Sequence, residues 1–302
     1  MSLQSFQDGD SLVKALGDVN AMPLWAQMTR LNPALPNPLA KPFLWEYERL
    51  RPYLMSAGQL IKEEQAERRL VMPRETAPAH RHAAFAVRFI IEGQGGFTAV
   101  QGQRVVMNPR DVIITPVWNW HDHGKKGADE EGGDENPVIW LDGLDLPEFV
   151  HFPVHFNEHY CASRYPAIDV PVEQSEIVFP WSKMQSRLDR QPGAWANAAY
   201  LKASGEELSR TIGASAERLE ALAQSPAIRE TSSCVYHVIE GRGYTEIEGR
   251  AMSWKKGDTF CIPSWHRYQH FAEDERVYLY RFDDKVMLKA LGLYRVEGQA
   301  LN

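Results

Sequence analysis

Cysteine is scarce in this sequence: 302 residues hold three, Cys161, Cys234 and Cys261, and none belongs to a CxxC pair. Zinc ribbons, redox dithiols and disulfide frameworks are therefore excluded, because each needs clustered or paired thiols. Long apolar runs are missing as well. No stretch approaches the ~18 residues that a membrane helix requires, and the start MSLQSFQDGD lacks a basic-then-apolar signal pattern. The expectation is a cytoplasmic chain with no membrane partner. Basic runs are also absent. Lys and Arg total 33 against 40 Asp and Glu, a formal net charge of −7. Phosphate neutralisation needs clustered cations, so no nucleic-acid partner is expected. Finally, GxSxG, Walker and GxGxxG motifs are missing, and the cysteines have no supporting histidine constellation.

What the chain does contain is 44% apolar and 24% charged residues, an ordinary folded composition. At roughly 100–200 residues per domain, its length predicts two domains. Residues 1–69 read as a helical region: Asp10 or Ser11 caps the stretch Leu12–Leu16, prolines interrupt 32–43, and a second helical stretch runs from Trp45 to about Leu70. Over 70–169, Val/Ile/Phe-rich runs broken by Gly, Pro, Asn and Asp predict an antiparallel sandwich or barrel. Within it, the acidic run 129–135 reads as a solvated turn. Residues 170–225, including GEELSRTIGASAERLEALAQ, read as a linker of helical texture, and 226–302 return to β texture.

The two β stretches are copies of one design. RFIIEGQGGFTAVQGQRVVMNPRDVIITPVW (88–118) lies against YHVIEGRGYTEIEGRAMSWKKGDTFCIPSW (236–265) with one single-residue offset. Ordered matches on this scale mean a duplicated module.

Histidine carries the chemistry. His80 and His82 are spaced i, i+2, so both imidazoles leave one face of a strand. His121 and His123 repeat that spacing in WNWHDHG, at an equivalent end of the same module. Neutral imidazoles gathered at one end of a barrel make a metal site with open positions. The second copy acts as a control: Ile228 falls opposite His80, Glu230 opposite His82 and Tyr268 opposite His121, and only His270 keeps its match with His123. The first copy is thus expected to hold the metal and the second to be structural, with His237 and His266 serving packing. Counting by twos along a regular strand puts Arg88 on the face of His80, His82, Ala84 and Ala86, where its planar fork suits a carboxylate. Two readings of Asp142 stay open, a residue of the same cavity or a turn residue before Gly143. Trp118, Trp120 and Trp140 are candidates for stacking on an aromatic ring, with core packing as the default.

The stretches PAHRHAAFAVRFIIEG, TPVWNWHDHG and WLDGLDLP in the first half resemble the bicupin gentisate 1,2-dioxygenase family of the cupin superfamily. VYHVIEGRGYTEIEG, WKKGDTFCIPSW and ALGLYR in the second half match as well, as do PLW, RPYLMSAGQLI and AERR near the start. Salicylate and 1-hydroxy-2-naphthoate dioxygenases share these motifs. The resemblance implies an all-β bicupin: two double-stranded β-helix (jelly-roll) barrels with an N-terminal helical extension and a helical linker. It implies one Fe(II) per chain on His80, His82 and His121, with Ala86 or Val87 where many cupins carry a glutamate ligand. It further implies Arg88 and His123 as substrate-binding residues and His123 and Asp142 as catalytic ones. The implied reaction converts gentisate and O2 to maleylpyruvate in aromatic catabolism, by a homo-oligomer, a tetramer. Alternatives are salicylate or 1-hydroxy-2-naphthoate cleavage.

Two departures from the family pattern bear on the site. Arg69 runs directly into LVMPRETAPAHRH, where the family has an extra strand, leaving Arg68 and Arg69 as substitute candidates for substrate contact. The strand that usually precedes the ETSSCVYH-like segment is also not recognisable. Two readings from other classes use the same residues: a zinc- or manganese-dependent cupin isomerase that consumes no oxygen, and a non-enzymatic small-molecule-binding bicupin. The intact HxH and HDH pairs and Arg88 argue against the second.

Overall fold

The structure is a computed structural model and describes residues 5–60 and 70–298. It divides into two compact units, Met1–Leu39 and Ala40–Asn302. In the first, α1 (Gly9–Gly17) is capped by Asp8, whose carboxylate accepts from Ser11 N at 2.8 Å. The cap thus lies just before the two residues expected to supply it, and Ser11 is its reciprocal partner at the third helical position. A 3₁₀ turn (Leu24–Gln27) enters α2 (Met28–Leu31) behind Pro23.

The second unit opens with β1 (Phe43–Trp45), a strand inside the region that reads as helical, followed by α3 (Tyr47–Leu60). A first barrel follows. One of its sheets is ordered β10-β3-β8-β5-β6-β11, from β3 (Thr76–His82), β5 (Gly96–Val100), β6 (Gln103–Met107), β8 (His121–Lys125), β10 (Asn157–His159) and β11 (Ile168–Asp169). The other is ordered β12-β7-β4-β9-β2, from β2 (Leu70–Val71), β4 (Ala86–Glu92), β7 (Val112–Thr115), β9 (Val138–Leu144) and β12 (Val178–Phe179). Helix α4 (Trp181–Asp189) leads to the second barrel. Its large sheet runs β1-β18-β15-β20-β14-β13, from β13 (Trp195–Ala199), β14 (Gly213–Leu219), β15 (Cys234–Glu240), β18 (Thr259–Ile262) and β20 (Val277–Asp283). Its small sheet joins β16 (Arg242–Ile247), β17 (Arg250–Lys255) and β19 (Tyr268–Ala272), and α5 (Lys285–Ala290) closes the chain.

The helical texture expected over 170–225 is corrected here beyond Asp189, where strands β13 and β14 form. GASAERL forms strand β14, paired with β13 on one side and β20 on the other. Ala, Glu, Arg and Leu favour helix by intrinsic propensity, but a slot between two strands that buries Ala214, Ala216 and Leu219 overrides it. A strand therefore does precede ETSSCVYH. Within 170–225, α4 is the α-helix among the described residues.

The duplication extends to backbone detail. Each copy has a bulge at one place, Ile90/Glu92 and Val238/Glu240. Each also takes positive φ at matching residues, Gln101 (47°) with Glu248 (49°) and Trp118 (64°) with Trp265 (63°). Positive φ in bulky residues costs energy, so shared positions mark shared turn geometry. The two copies pack through apolar outer faces, where Phe89 stacks on Tyr280 at 4.8 Å and meets the His237 ring at 5.0 Å. His237 is thus a packing residue between the barrels.

The docking of the strand–helix segments is reciprocal. β1 precedes the first barrel in sequence but pairs with β18 of the second, and Tyr47 N, opening α3, donates to Asp258 at 3.0 Å. β12 precedes the second barrel but pairs with β7 of the first, and Trp181 N, opening α4, donates to Asp111 at 2.9 Å. Asp111 and Asp258 are equivalent aspartates of the repeat, each buried and each satisfying an orphan helix N–H.

Candidate metal centre

The histidine cluster is made by strand register. β3 and β8 run antiparallel with His80 directly opposite His121, and His82 follows two residues along the same face. The rings stand 4.3 Å apart for His80–His121, 4.8 Å for His82–His121 and 5.5 Å for His80–His82. One ligand atom from each lies within 4.8 Å of the others.

Each imidazole is oriented in the same way. Nδ1 of His80, His82 and His121 meets the backbone oxygen of Pro78, Ala84 and Asn119 respectively, 2.9 Å in every case. A carbonyl only accepts, so Nδ1 carries the proton and the Nε2 lone pair is left for a ligand. His121 Nε2 is buried without a hydrogen-bond partner, a costly state for a polar atom and one that a metal ion relieves. Burial above all, then His80 and the Arg88 guanidinium, hold the His121 pKa well below its ordinary value, so its donor form is neutral. An all-imidazole set of three is a sound donor set for a first-row divalent ion.

The second copy fills the same place differently. Ile228 bridges Tyr268 where His80 faces His121. Glu230, at the position of His82, is paired with Arg281 at 2.6 Å, and Arg281 also donates to the Tyr268 hydroxyl at 3.1 Å. Among the described residues the only three-residue metal-ligating group is His80, His82 and His121.

Behind the triad lies a polar wall. His123 is buried, its ring 5.6 Å from His121 and 5.8 Å from Trp140. Burial first, then Arg88, holds its pKa far down as well. Its Nδ1 has no partner, whereas Nδ1 of its counterpart His270 is held by Thr245 Oγ1 at 2.8 Å. Arg88 reaches this region by a different route from the one the alternation suggests. The strand breaks after His82 and the chain crosses to the other sheet, where β4 places Arg88 opposite Asp142. Arg88 Nε lies 2.9 Å from Asp142 Oδ1 as an ion pair, with neither atom making a hydrogen bond, and Nη1 donates to Thr115 at 2.6 Å. Asp142 lies within β9 rather than in a turn, and its second oxygen accepts from Trp140 Nε1 at 2.9 Å.

Comparison with known proteins adds to this geometry. A family model described as "Cupin domain" matches residues 68–131. Gentisate 1,2 dioxygenase 1 of Aquipseudomonas alcaligenes is 31% identical over 325 aligned residues, covering 90% of this chain and 91% of that one. The chain belongs to the gentisate 1,2-dioxygenase family. A second member, 5-aminosalicylate 1,2-dioxygenase of a Comamonas species, is 32% identical over 353 aligned residues, covering 98% of this chain and 92% of the relative. That alignment is longer than the chain, so this dioxygenase carries residues that have no counterpart here. Among solved structures, salicylate 1,2-dioxygenase from Pseudaminobacter salicylatoxidans superposes with a TM-score of 0.84 at 26% identity, over 98% of this chain and 100% of that one. The all-β bicupin fold implied by the sequence is the fold observed.

Against the family reading, the structure brings together His80, His82, His121, His123, Arg88 and Asp142. Of the tryptophans, Trp140 sits beside this group. Trp118 and Trp120 instead clamp Arg81, whose guanidinium lies 4.7 and 4.6 Å from their rings. Two neighbours went unnoticed in the sequence: His155, 6.2 Å from the His82 ring, and His159, which faces His80 across β10–β3. Their HxxxH spacing carries no strand signal; only the pairing of β10 with β3 reveals them. Arg68 and Arg69 lie outside the described residues.

Proposed function

We propose that this ring-cleaving dioxygenase uses one Fe(II), held by His80, His82 and His121 of the first barrel, to cleave an aromatic ring bearing a carboxylate and an ortho hydroxyl. Gentisate is the foremost candidate. The observation that carries the reading is the convergence of one ligand atom from each of three histidines within 4.8 Å, on imidazoles oriented by backbone carbonyls. The names of the three relatives above share one chemistry, a 2-hydroxybenzoate with or without a 5-substituent. When bound, Fe(II) supplies a Lewis acid for the carboxylate–hydroxyl pair and the electrons that spin-forbidden O2 requires.

The protein's own groups divide the remaining work. Asp142 neutralises Arg88, so Arg88 contributes direction rather than net charge: its planar guanidinium offers fixed donors to the substrate carboxylate. Asp142 itself, ion-paired to Arg88 through Oδ1 and hydrogen-bonded to Trp140 through Oδ2, acts as a positioning residue for both. His123, held neutral with Nδ1 unpartnered, is the group that exchanges a proton with a ring hydroxyl. The second barrel carries no metal. The reading extends to a cytoplasmic homotetramer, which light scattering of the purified protein tests.

The direct test is anaerobic reconstitution with Fe(II), followed by oxygen uptake with gentisate, salicylate, 5-aminosalicylate and 1-hydroxy-2-naphthoate. Uptake that gives a ring-opened product, maleylpyruvate from gentisate, is expected. No uptake with any of the four overturns the dioxygenase reading and returns the site to oxygen-independent metal chemistry.

A further inference from the structure

The geometry points to Asp145, and through it Thr211 of the second barrel, as positioning residues for the metal ligand His82. This inference rests on the metal-site reading above. The link is a single peptide unit, 84–85. Its carbonyl, Ala84 O, accepts from His82 Nδ1 at 2.9 Å. Its N–H, on Phe85, donates to Asp145 Oδ1 at 2.9 Å. The other oxygen of the same carboxylate accepts from Thr211 Oγ1 at 2.7 Å. Thr211 lies in the connection between β13 and β14 and is itself fixed, since Ser209 Oγ accepts from Thr211 N at 3.0 Å and from Ile212 N at 2.8 Å. Asp145 is buried, and its contact with the half-buried Thr211 is part-buried.

The physical effect follows from amide resonance. An anion on the N–H side of a planar amide draws electron density toward the oxygen and strengthens it as an acceptor. A stronger acceptor on Nδ1–H makes the opposite ring nitrogen a better donor to a metal and fixes the plane of the ring. His82 is singled out among the three ligands. The peptides whose carbonyls hold His80 and His121 have neutral acceptors on their N–H sides: Ala79 N donates to Ser163 O at 2.9 Å and Trp120 N to Gln101 Oε1 at 3.2 Å. Only the His82 peptide rests on a carboxylate. The second barrel, without a metal of its own, thereby braces the centre in the first.

Co(II) is the probe, measured by competition with a chromophoric chelator and by the ligand-field bands of the Co(II) protein. Asp145→Asn keeps the shape and removes the charge; it is expected to weaken Co(II) binding about 10- to 100-fold and to shift the bands. Thr211→Val is expected to weaken it by a few-fold, and Thr211→Ser to restore it, a rescue that simple loss of packing does not give. Should Asp145→Asn fail to fold, the Thr211 pair decides. Wild-type binding with unchanged affinity and bands in Asp145→Asn and Thr211→Val overturns the inference alone. A wild-type chain that takes up no Co(II) overturns the metal-site reading itself and the inference with it.

Discussion

Asp142 and Arg281 hold equivalent positions in the two barrels, opposite Arg88 on β4 and Tyr236 on β15, with the sign of the charge reversed. Arg281 is turned toward Glu230 and Tyr268, the residues that replace His82 and His121. A guanidinium thus lies among the positions where the first barrel gathers imidazoles, and the carboxylate of Glu230 is held down to about 2 despite its burial. The expected metal content is one ion per chain. His121→Ala abolishes it and Tyr268→Ala leaves it intact, as elemental analysis after reconstitution reads out; equal loss from both contradicts a single site.

Arg88→Lys retains the charge and loses the planar fork that spans Asp142, Thr115 and the substrate side. Charge-assisted hydrogen bonds contribute about 1.5–3 kcal/mol, so kcat/KM for gentisate falls roughly 10- to 100-fold with iron content unchanged. Steady-state kinetics beside metal analysis separates this outcome from loss of the metal.

Burial pushes His237 down to about 3 and His270 to about 4. In the unfolded chain both titrate near 6.5. Above that pH neither form is protonated and their full contribution is present. As pH falls toward 4 the unfolded state binds protons that the folded state refuses, so stability is lost. Chemical denaturation of the metal-free protein at pH 7 and pH 5 should show this loss, and His237→Gln should reduce it. A pH dependence identical in the variant would contradict the assignment.

Asp111→Ala and Asp258→Ala each strand a helix-opening N–H beneath the opposite barrel's strand–helix segment. Each is expected to cost about 1–2 kcal/mol, read as a lowered denaturation midpoint at constant slope. An unshifted midpoint in either variant removes the docking role from that aspartate.

Much of the site was legible in the sequence because it obeys a period of two. His80, His82, His121 and His123 announce their shared face by spacing, and the degenerate copy shows which positions carry chemistry. Arg88 was found by counting through a break in the strand; the side chain arrives, but from the other sheet. Asp142 could not be settled without register, since only its pairing with Arg88 tells a cavity residue from a turn residue. The composition of β14 favours helix, and the competing term, burial between two strands, comes from β13 on one side and from the distant β20 on the other. Asp145 gave no signal at all. Its meaning depends on a contact to Thr211, supplied by the barrel that looks inert.

The reciprocal seating of β1 and β12 bears on how this protein can be cut. Boundaries drawn along the chain, such as 70–169 for the metal-bearing half, would sever that half from β12 and α4, which complete its sheet and cover its core. A fragment meant to fold alone must run on to Asp189, well inside what the sequence presents as a linker. The other half, for its part, must reach back across the whole first barrel to recover Phe43–Trp45. Duplication produced two look-alike barrels, but the chain treats them as one indivisible fold.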